Sequence, residues 1–439
     1  MPRSPRLVVG VQHQTTIFKV SLRYSINKFM EIKRKKDWVT KNIAAHRLQV
    51  GASGTWRLRV KPAITKIRKI TVFLFFITFV PKGQIFAQNR TADFIAINNF
   101  FDSVSMQMKI YQIDTLFKNM LSGKRFNGSI LIGKERKIIY SNFSGYADFP
   151  KKKRLNNASQ YEIASVSKQF TAVSILILYE KGKLKLSDTV QKFIPNFPYQ
   201  GITVHQLLCH RSGLPDYFKF AEKYHKDTNY LMSNDSLLNM LTVYKPKILE
   251  IPNKTFEYSN TGYAVLASIV ERVSGMPFYQ FVNQYVFAAV GMKNTYFYHY
   301  GKTTPEGYTT GHRSSYKPYE RDFLSGVLGD KGVFTTTHDL YLWDKALYEA
   351  KILKPETLQM AFSPQHADRS PCSNYGYGWR LSCDEQGNAL VFHGGLWNGN
   401  NTLFIRRITD ETLIVILSNV YNKGFSGKST DILRVLDGL

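Results

Sequence analysis

The chain predicts a mixed α/β (α+β) fold: a mainly antiparallel sheet, built from strands at both ends of the chain and flanked by helices, with a mostly helical region inserted in the middle. Three observations predict it. Two strand-like runs come early, at Gly128–Gly133 and Lys137–Ser141, joined by the polar turn Lys134-Glu135-Arg136. Four more fill the last quarter, at Tyr377–Leu381, Ala389–His393, Thr402–Arg406 and Thr412–Leu417. Between them, at about 190–350, the apolar residues recur at helical spacing or give way to loops. Strands at both ends with helices between are satisfied by one sheet that closes around the insert.

Each element has its own signature. Residues 94–121 carry a helical pattern through Phe94, Ile95, Ile97, Phe100, Phe101, Ile110, Ile113, Leu116 and Phe117. A second helix runs from Ser165 to Glu180 on Phe170, Val173, Leu176, Ile177 and Tyr179, and stops before Gly182. Helical stretches follow near Val204–His210, Leu237–Val243, Thr261–Val273 and His338–Tyr348. The runs at Thr402–Arg406 and Thr412–Leu417 flank Thr409-Asp410-Glu411 as a hairpin would. A closing helix, Lys428–Leu436, presents Ile432, Leu433, Val435 and Leu436. No internal repeat is visible.

The region before this domain reads differently. Residues 66–88 resemble a secretory signal: Lys66, Arg68 and Lys69 precede the apolar run Ile70–Val80, Pro81 breaks it, and Ala87 offers a cleavage site. The run is too short to span a bilayer, although an uncleaved anchor is the alternative. Residues 1–65, with Lys33-Arg34-Lys35-Lys36, show neither helical nor strand period and are read as an unstructured or mis-assigned extension. The folded domain is then 89–439, secreted or periplasmic. No cysteine directly follows the apolar run, so a lipid anchor is not indicated.

The net charge of +27 would suggest nucleic acid, but its distribution argues otherwise. Residues 1–88 hold eighteen Lys/Arg against two Asp/Glu, more than half of the excess. The rest contains no basic helix or aromatic–basic ribbon, so nucleic-acid binding is not expected. The three cysteines, Cys209, Cys372 and Cys383, leave at least one thiol unpaired. A Cys372–Cys383 bridge and three unpaired thiols both remain open, and no spacing suits zinc.

Ser165-Val166-Ser167-Lys168 carries the chemistry. Residues three apart on a helix share a face, so the Lys168 amine can reach the Ser165 hydroxyl. A serine hydroxyl is a weak nucleophile and needs an adjacent base. An ordinary lysine is protonated at neutral pH, so burial and nearby positive charge would have to favour its neutral form. The helix start directs N–H groups toward developing negative charge. Alone, the tetrad is weak: Ser165 could simply cap a helix. Ser167 is a rival nucleophile, but its partner three residues on, Phe170, cannot act as a base.

The longer segment Glu162-Ile163-Ala164-Ser165-Val166-Ser167-Lys168-Gln169-Phe170-Thr171-Ala172 resembles the active-site segment of the serine β-lactamase-like, penicillin-binding protein family. That family includes class C β-lactamases, D-alanyl-D-alanine carboxypeptidases, and related esterases and D-aminopeptidases. The resemblance continues, in the family's order, through Ile202–Pro215, Phe256–Tyr263 and Gly329–Thr336, ending near Val420, about 300 residues in all. Tyr258-Ser259-Asn260 resembles the family's Y-x-N element. It implies that Tyr258 relays a proton to the leaving group and that Asn260 binds a substrate carbonyl and helps hold Lys168; a turn before a helix would also suit Asn260. His393-Gly394-Gly395 resembles the third element, usually K-T-G and in some members H-x-G. It implies substrate contacts along His393, Gly394 and Gly395, and an oxyanion hole from the N–H groups of Ser165 and Leu396. A mostly neutral histidine in place of lysine would hold a substrate carboxylate less tightly.

The resemblance therefore implies a serine hydrolase that acylates Ser165 and cleaves a β-lactam, a D-Ala-D-Ala-type peptide or a small ester, without metal or cofactor. Its substrate would be a small molecule or peptide, cell-wall peptide included. The alternatives are an esterase or D-aminopeptidase on the same scaffold, or a non-turnover penicillin-binding or peptide-sensing module. His210 and Ser212-Gly213 are read as loop-shaping, and Gly329–Gly332 as no phosphate loop, since no G-K-[ST] follows. The tyrosines at 296, 298, 308, 316 and 319 are read as packing or a cleft rim.

Overall fold

The structure is a computed structural model describing residues 48–50, 56–58, 89–122, 126–225, 230–298, 304–320, 323–422 and 427–439. Two units separate at Phe94/Ile95. In the first, Leu48–Val50 and Trp56–Leu58 pair antiparallel, within the extension for which the sequence shows no strand period. The signal-like segment at 66–88 lies outside the described residues.

Helix α1 (Asn89–Ser122) leads into strands β1 (Gly128–Lys134) and β2 (Lys137–Ser144). A short strand β3 (Tyr161–Glu162) precedes helix α2 (Lys168–Glu180). The middle contributes helices α3 (Val204–Leu208), α4 (Tyr217–Tyr224), α5 (Asn234–Tyr244) and α6 (Asn260–Ser274). Strands β4 (Tyr296–Phe297) and β5 (Val333–Thr335) and helix α7 (Thr337–Tyr348) follow. Strands β6 (Ser373–Tyr375), β7 (Arg380–Cys383), β8 (Ala389–Trp397), β9 (Asn400–Arg407) and β10 (Thr412–Ser418), then helix α8 (Gly427–Asp437), complete the chain.

The main sheet has seven strands in the order β6-β7-β8-β9-β10-β1-β2, every neighbouring pair antiparallel. It joins the two ends of the domain where β10 pairs with β1, Val415 opposite Leu131. Period-two alternation gives each strand two faces. Leu131, Phe404, Leu413, Val415 and Leu417 face a core shared with the helical insert. Ile130, Ile132, Leu403, Ile405, Ile414 and Ile416 face a second core under α1 and α8. Both faces of β10 are covered, so all seven of its residues are buried.

Three sequence expectations shift. Strand β8 runs past His393 to Trp397, because pairing with β9 carries the two glycines that sequence propensity disfavours. The run at Tyr377–Leu381 is strand only from Arg380: Gly378, at φ +90°, packs so closely on α2 that a Cβ would lie 2.8 Å from that of Ala172. Ser165, Val166 and Ser167 sit on a 3₁₀ turn, Ala164–Ser167, that feeds α2, and only Lys168 of the tetrad lies in the α-helix, as its first residue. Cys372 and Cys383 form a disulfide across the β6–β7 hairpin, and Cys209 is a buried free thiol. Tyr296, Tyr298 and Tyr308 pack on Phe334, Tyr316 packs on Phe149, and the Arg313 guanidinium lies over Tyr319. Among the described residues, no helix is long and apolar enough to cross a membrane.

Candidate active site

A small sheet, β3-β5-β4, places the nucleophile turn. Glu162 pairs with Phe334, and the Ile163 N–H donates to the Val333 carbonyl at 2.9 Å. The chain then turns sharply: Ala164 takes φ +48°, a left-handed conformation that costs a side-chain-bearing residue about 1–3 kcal/mol. The turn leaves Ser165 partly exposed between buried neighbours. Ser167 is buried, and its Oγ accepts the Val333 N–H at 3.3 Å, so the rival hydroxyl is engaged in fixing the turn to β5.

Lys168 is fully buried. Its Nζ lies 3.0 Å from Ser165 Oγ, 2.9 Å from Asn260 Oδ1 and 3.0 Å from the Asp330 carbonyl oxygen. The amide oxygen and the carbonyl can only accept, whereas a hydroxyl can also donate. Asn260 and Asp330 can therefore only take N–H bonds from the amine, whereas the contact with Ser165 is the one through which a proton can be exchanged. Asn260 is the first residue of α6, whose N-cap, Ser259, accepts the Gly262 N–H at 3.0 Å. The turn-before-helix pattern and the site element are thus the same residues. The Asp330 carbonyl is aimed by a loop that needs its first glycine: Gly329 has φ +109°, and a Cβ there would lie 2.4 Å from the Tyr263 carbonyl oxygen. Thr171 of α2 ties this loop down, donating to the Gly329 carbonyl at 2.6 Å.

Tyr258 adjoins these groups. The centre of its ring is 5.0 Å from Lys168 Nζ, 4.2 Å from the His210 ring centre and 5.1 Å from the Arg380 guanidinium carbon. His210 brackets it: its carbonyl accepts the Glu257 N–H at 2.8 Å and its Nδ1 accepts the Ser259 N–H at 3.1 Å. Burial, reinforced by the Lys168 charge, holds the His210 imidazole well below its usual pKa, so it stays neutral and can accept.

Strand β8 closes the other side. A Cβ on Gly395 would lie 2.3 Å from the Ile163 carbonyl oxygen, so only glycine lets the strand approach the nucleophile turn this closely. Thr402 Oγ1 of β9 donates to that same carbonyl at 2.9 Å. Strand β7 pairs with Ala389–Phe392 alone, so among the described residues no strand covers Gly394–Trp397 on that side. Leu396 there is 54% exposed. Arg380 stands where β7 begins and lines a cavity of about 550 Å³ with Gly394, Gly395, Leu396 and Thr402.

His393 is one of the expected substrate contacts. It is buried, and both ring nitrogens have protein partners: Nδ1 is 2.7 Å from the Gly394 carbonyl oxygen and Nε2 is 3.1 Å from the Tyr375 hydroxyl. The carbonyl accepts only, so Nδ1 carries the proton and Nε2 accepts from Tyr375. Burial first, then the Arg380 and Lys168 charges, keep the imidazole well below its usual pKa, while burial pushes the Tyr375 phenol up.

The structure therefore brings Ser165, Lys168, Asn260 and Tyr258 together, with Gly395 against the nucleophile turn. It adds two groups that sequence reading missed, the Arg380 guanidinium and the Asp330 carbonyl. The substitution of histidine for lysine at 393 was the only hint that a cation should be sought elsewhere. Among the described residues, no group of three or more His, Cys, Asp or Glu is placed to hold a metal.

The Beta-lactamase family model matches residues 113–438, most of the chain. The chain belongs to the Beta-lactamase family. Within reach of this family, it is 36% identical over 330 residues to penicillin-binding protein 4* of Bacillus subtilis strain 168, covering 71% of this chain and 72% of that protein. The solved penicillin-binding protein of Bacillus halodurans shares the fold with a TM-score of 0.63 at 24% identity, covering 74% of this chain and 98% of that one. D-amino acid amidase from Ochrobactrum anthropi SV3 matches with a TM-score of 0.65 at 22% identity, covering 74% and 99%. The expected fold and family membership both hold, and with the family the chain is a serine hydrolase.

Proposed function

We propose that this hydrolase cleaves an amide or ester through an acyl-enzyme on Ser165, with Lys168 as the base. The observation that carries the reading is the 3.0 Å approach of a buried lysine amine to a partly exposed serine hydroxyl, with acceptors on the amine's other contacts. The Ser165 proton passes to Lys168 as the hydroxyl oxygen attacks the substrate carbonyl carbon. The N–H groups of Ser165 and Leu396 take the developing oxyanion; one such donor is typically worth about 3–4 kcal/mol. Tyr258, beside Lys168, relays the proton to the departing nitrogen or oxygen as the scissile bond breaks. Water, activated by the same pair, releases the acyl group.

The uncovered edge of β8 lets a peptide-like substrate lie along Gly394–Leu396. We assign the substrate's carboxylate to Arg380 instead of His393, whose nitrogens are occupied within the protein. This favours acyl donors with a carboxylate on the leaving side, as in D-Ala-D-Ala-type peptides and β-lactams, in keeping with the penicillin-binding names of the relatives. The fold similarity to a D-amino acid amidase keeps neutral D-amino-acid amides in the substrate panel. The signal-like segment would export the chain to the compartment where such peptides occur.

The test combines labelling and turnover. The chain should be modified at Ser165 by a fluorophosphonate or labelled penicillin, and should turn over at least one of nitrocefin, a D-Ala-D-Ala peptide, a D-amino-acid amide or p-nitrophenyl acetate. Ser165→Ala should abolish labelling and cut turnover on the order of 10⁶-fold. Retention of most activity in Ser165→Ala would refute the assignment; stoichiometric labelling without turnover of any substrate would identify a binding module.

A further inference from the structure

The Gly329–Gly332 loop supplies more than one carbonyl. Asp330 and Lys331 are 1% and 2% exposed, with Lys331 Nζ 3.5 Å from Asp330 Oδ1. The Tyr217 hydroxyl joins them, donating to Asp330 Oδ2 at 3.0 Å and accepting from Lys331 Nζ. Lys331 also donates to the Val327 carbonyl at 3.1 Å. Three rings surround its ammonium, those of Trp397, Tyr217 and Phe218, with centres 5.0, 5.1 and 5.6 Å away. Apolar residues often replace a buried ion pair without loss of stability, so stability alone is a weak reason for this one.

Its position supplies a better reason, because the cluster meets three parts of the site. The Asp330 carbonyl accepts from Lys168. The Tyr217 N–H donates at 3.0 Å to Oγ1 of Thr261, the residue after Asn260. Trp397, the residue after Leu396, stacks on Phe218 at 5.1 Å and covers Lys331. The other titratable or charged groups around the Lys168 amine are Tyr258, Tyr263, His210, His393 and Arg380. The two histidines are neutral, which leaves Arg380 as the other fixed charge, while Asp330 and Lys331 form a balanced pair on the residue whose carbonyl the amine meets and the one after it.

We propose that Asp330, Lys331 and Tyr217 form a positioning unit for acylation, holding the Asp330 carbonyl and the start of α6 against Lys168 and setting by their balanced charges how readily that amine takes the Ser165 proton. The proposal rests on the reading of Ser165 and Lys168 given above. Removing the positive member leaves a carboxylate that favours the protonated amine; removing the negative member leaves an ammonium that disfavours it. A purely structural role predicts no such opposition.

The experiment measures the rate of Ser165 modification by a fluorophosphonate against pH in the full chain. It compares wild type, Lys331→Met, Asp330→Asn, the double variant, Lys331→Arg and Tyr217→Phe. In Lys331→Met the maximal rate should fall roughly 10- to 100-fold, with the probe's binding constant little changed. Its acidic limb should move to higher pH, and that of Asp330→Asn to lower pH, each by roughly half to one pH unit. The double variant should return toward the wild-type limb, and Lys331→Arg should recover most of the rate. Limbs that stay put or move the same way would overturn the proposal. Should Lys331→Met lack a cooperative melt, Asp330→Asn and Tyr217→Phe decide: an unmoved limb in the first with an unchanged rate in the second would overturn it. A wild-type chain that is not labelled at Ser165 would bring down the nucleophile assignment and this unit together; a labelled chain with unmoved variants brings down the unit alone.

Discussion

On the reading proposed above, Arg380 and His393 divide between them what one lysine does in the commoner form of the third motif. The imidazole, held neutral and fixed by Tyr375, packs beneath the cleft. The guanidinium lines the cavity beside the open edge of β8. Arg380→Met should therefore raise KM about 10-fold or more for substrates with a carboxylate on the leaving side, while p-nitrophenyl acetate is cleaved at nearly the wild-type rate. Parallel steady-state kinetics on the two substrates would check this, and an equal loss on both would remove Arg380 from carboxylate recognition. At this scale the sequence was partly legible. Ser165 and Lys168 can be read because their partnership is local, three residues along one turn. Tyr258 and Asn260 are legible only through ordered motifs, since the chain gives no other sign that they meet Lys168. The Asp330 carbonyl leaves no trace, because every residue has one, and its aim depends on the φ angle of Gly329.

Elements carry the site by their ends. The β6–β7 hairpin holds Tyr375 at one strand's end and Arg380 at the other's start, and Cys372–Cys383 closes its far side. The bridge closes a loop of eleven residues, which in the chain-entropy picture is worth about 2–3 kcal/mol. Reduction should lower the melting temperature by a few degrees and also weaken carboxylate-bearing substrates, because the hairpin carries Arg380. Thermal melts and KM values with and without dithiothreitol would check both effects, and an unchanged melt would show that the hairpin is held by its packing alone. From sequence the bridge could only be left open, since spacing does not reveal register. The two glycines of β8 hid the strand's true length for a related reason: a residue that weakens an isolated strand is required where the strand presses on the nucleophile turn.

Over the whole molecule, charge and burial set the response to acid. Burial, then the Arg211 charge, pushes His366 down to about 4, and His210 and His393 also lie well below the usual histidine value. In the unfolded chain all three take up protons near pH 6.5, whereas the folded protein takes them up only at lower pH. The unfolded state thus binds more protons between about pH 6.5 and 4, so stability falls as the pH drops through that window. Each proton of difference contributes about 1.4 kcal/mol per pH unit. Urea unfolding at pH 7, 6 and 5 should show a progressive loss, and a flat profile would mean that these imidazoles titrate normally. The architecture itself was readable from the early and late placement of strands and the helical spacing between them. The exact edges were not, because tertiary packing at Gly378 and Gly395 overrides local preference.

The seam between β10 and β1 joins residues nearly three hundred positions apart. Such distant pairing must wait for the closing of a very long loop, which makes assembly slow and late. During synthesis, the serine-bearing turn emerges long before the strands that press against it. On the reading proposed above, a nascent chain would display Ser165 before Leu396 and the strand that carries it have formed, so hydrolytic power should arrive only with the final strands, and a chain lacking them should be inert toward substrate.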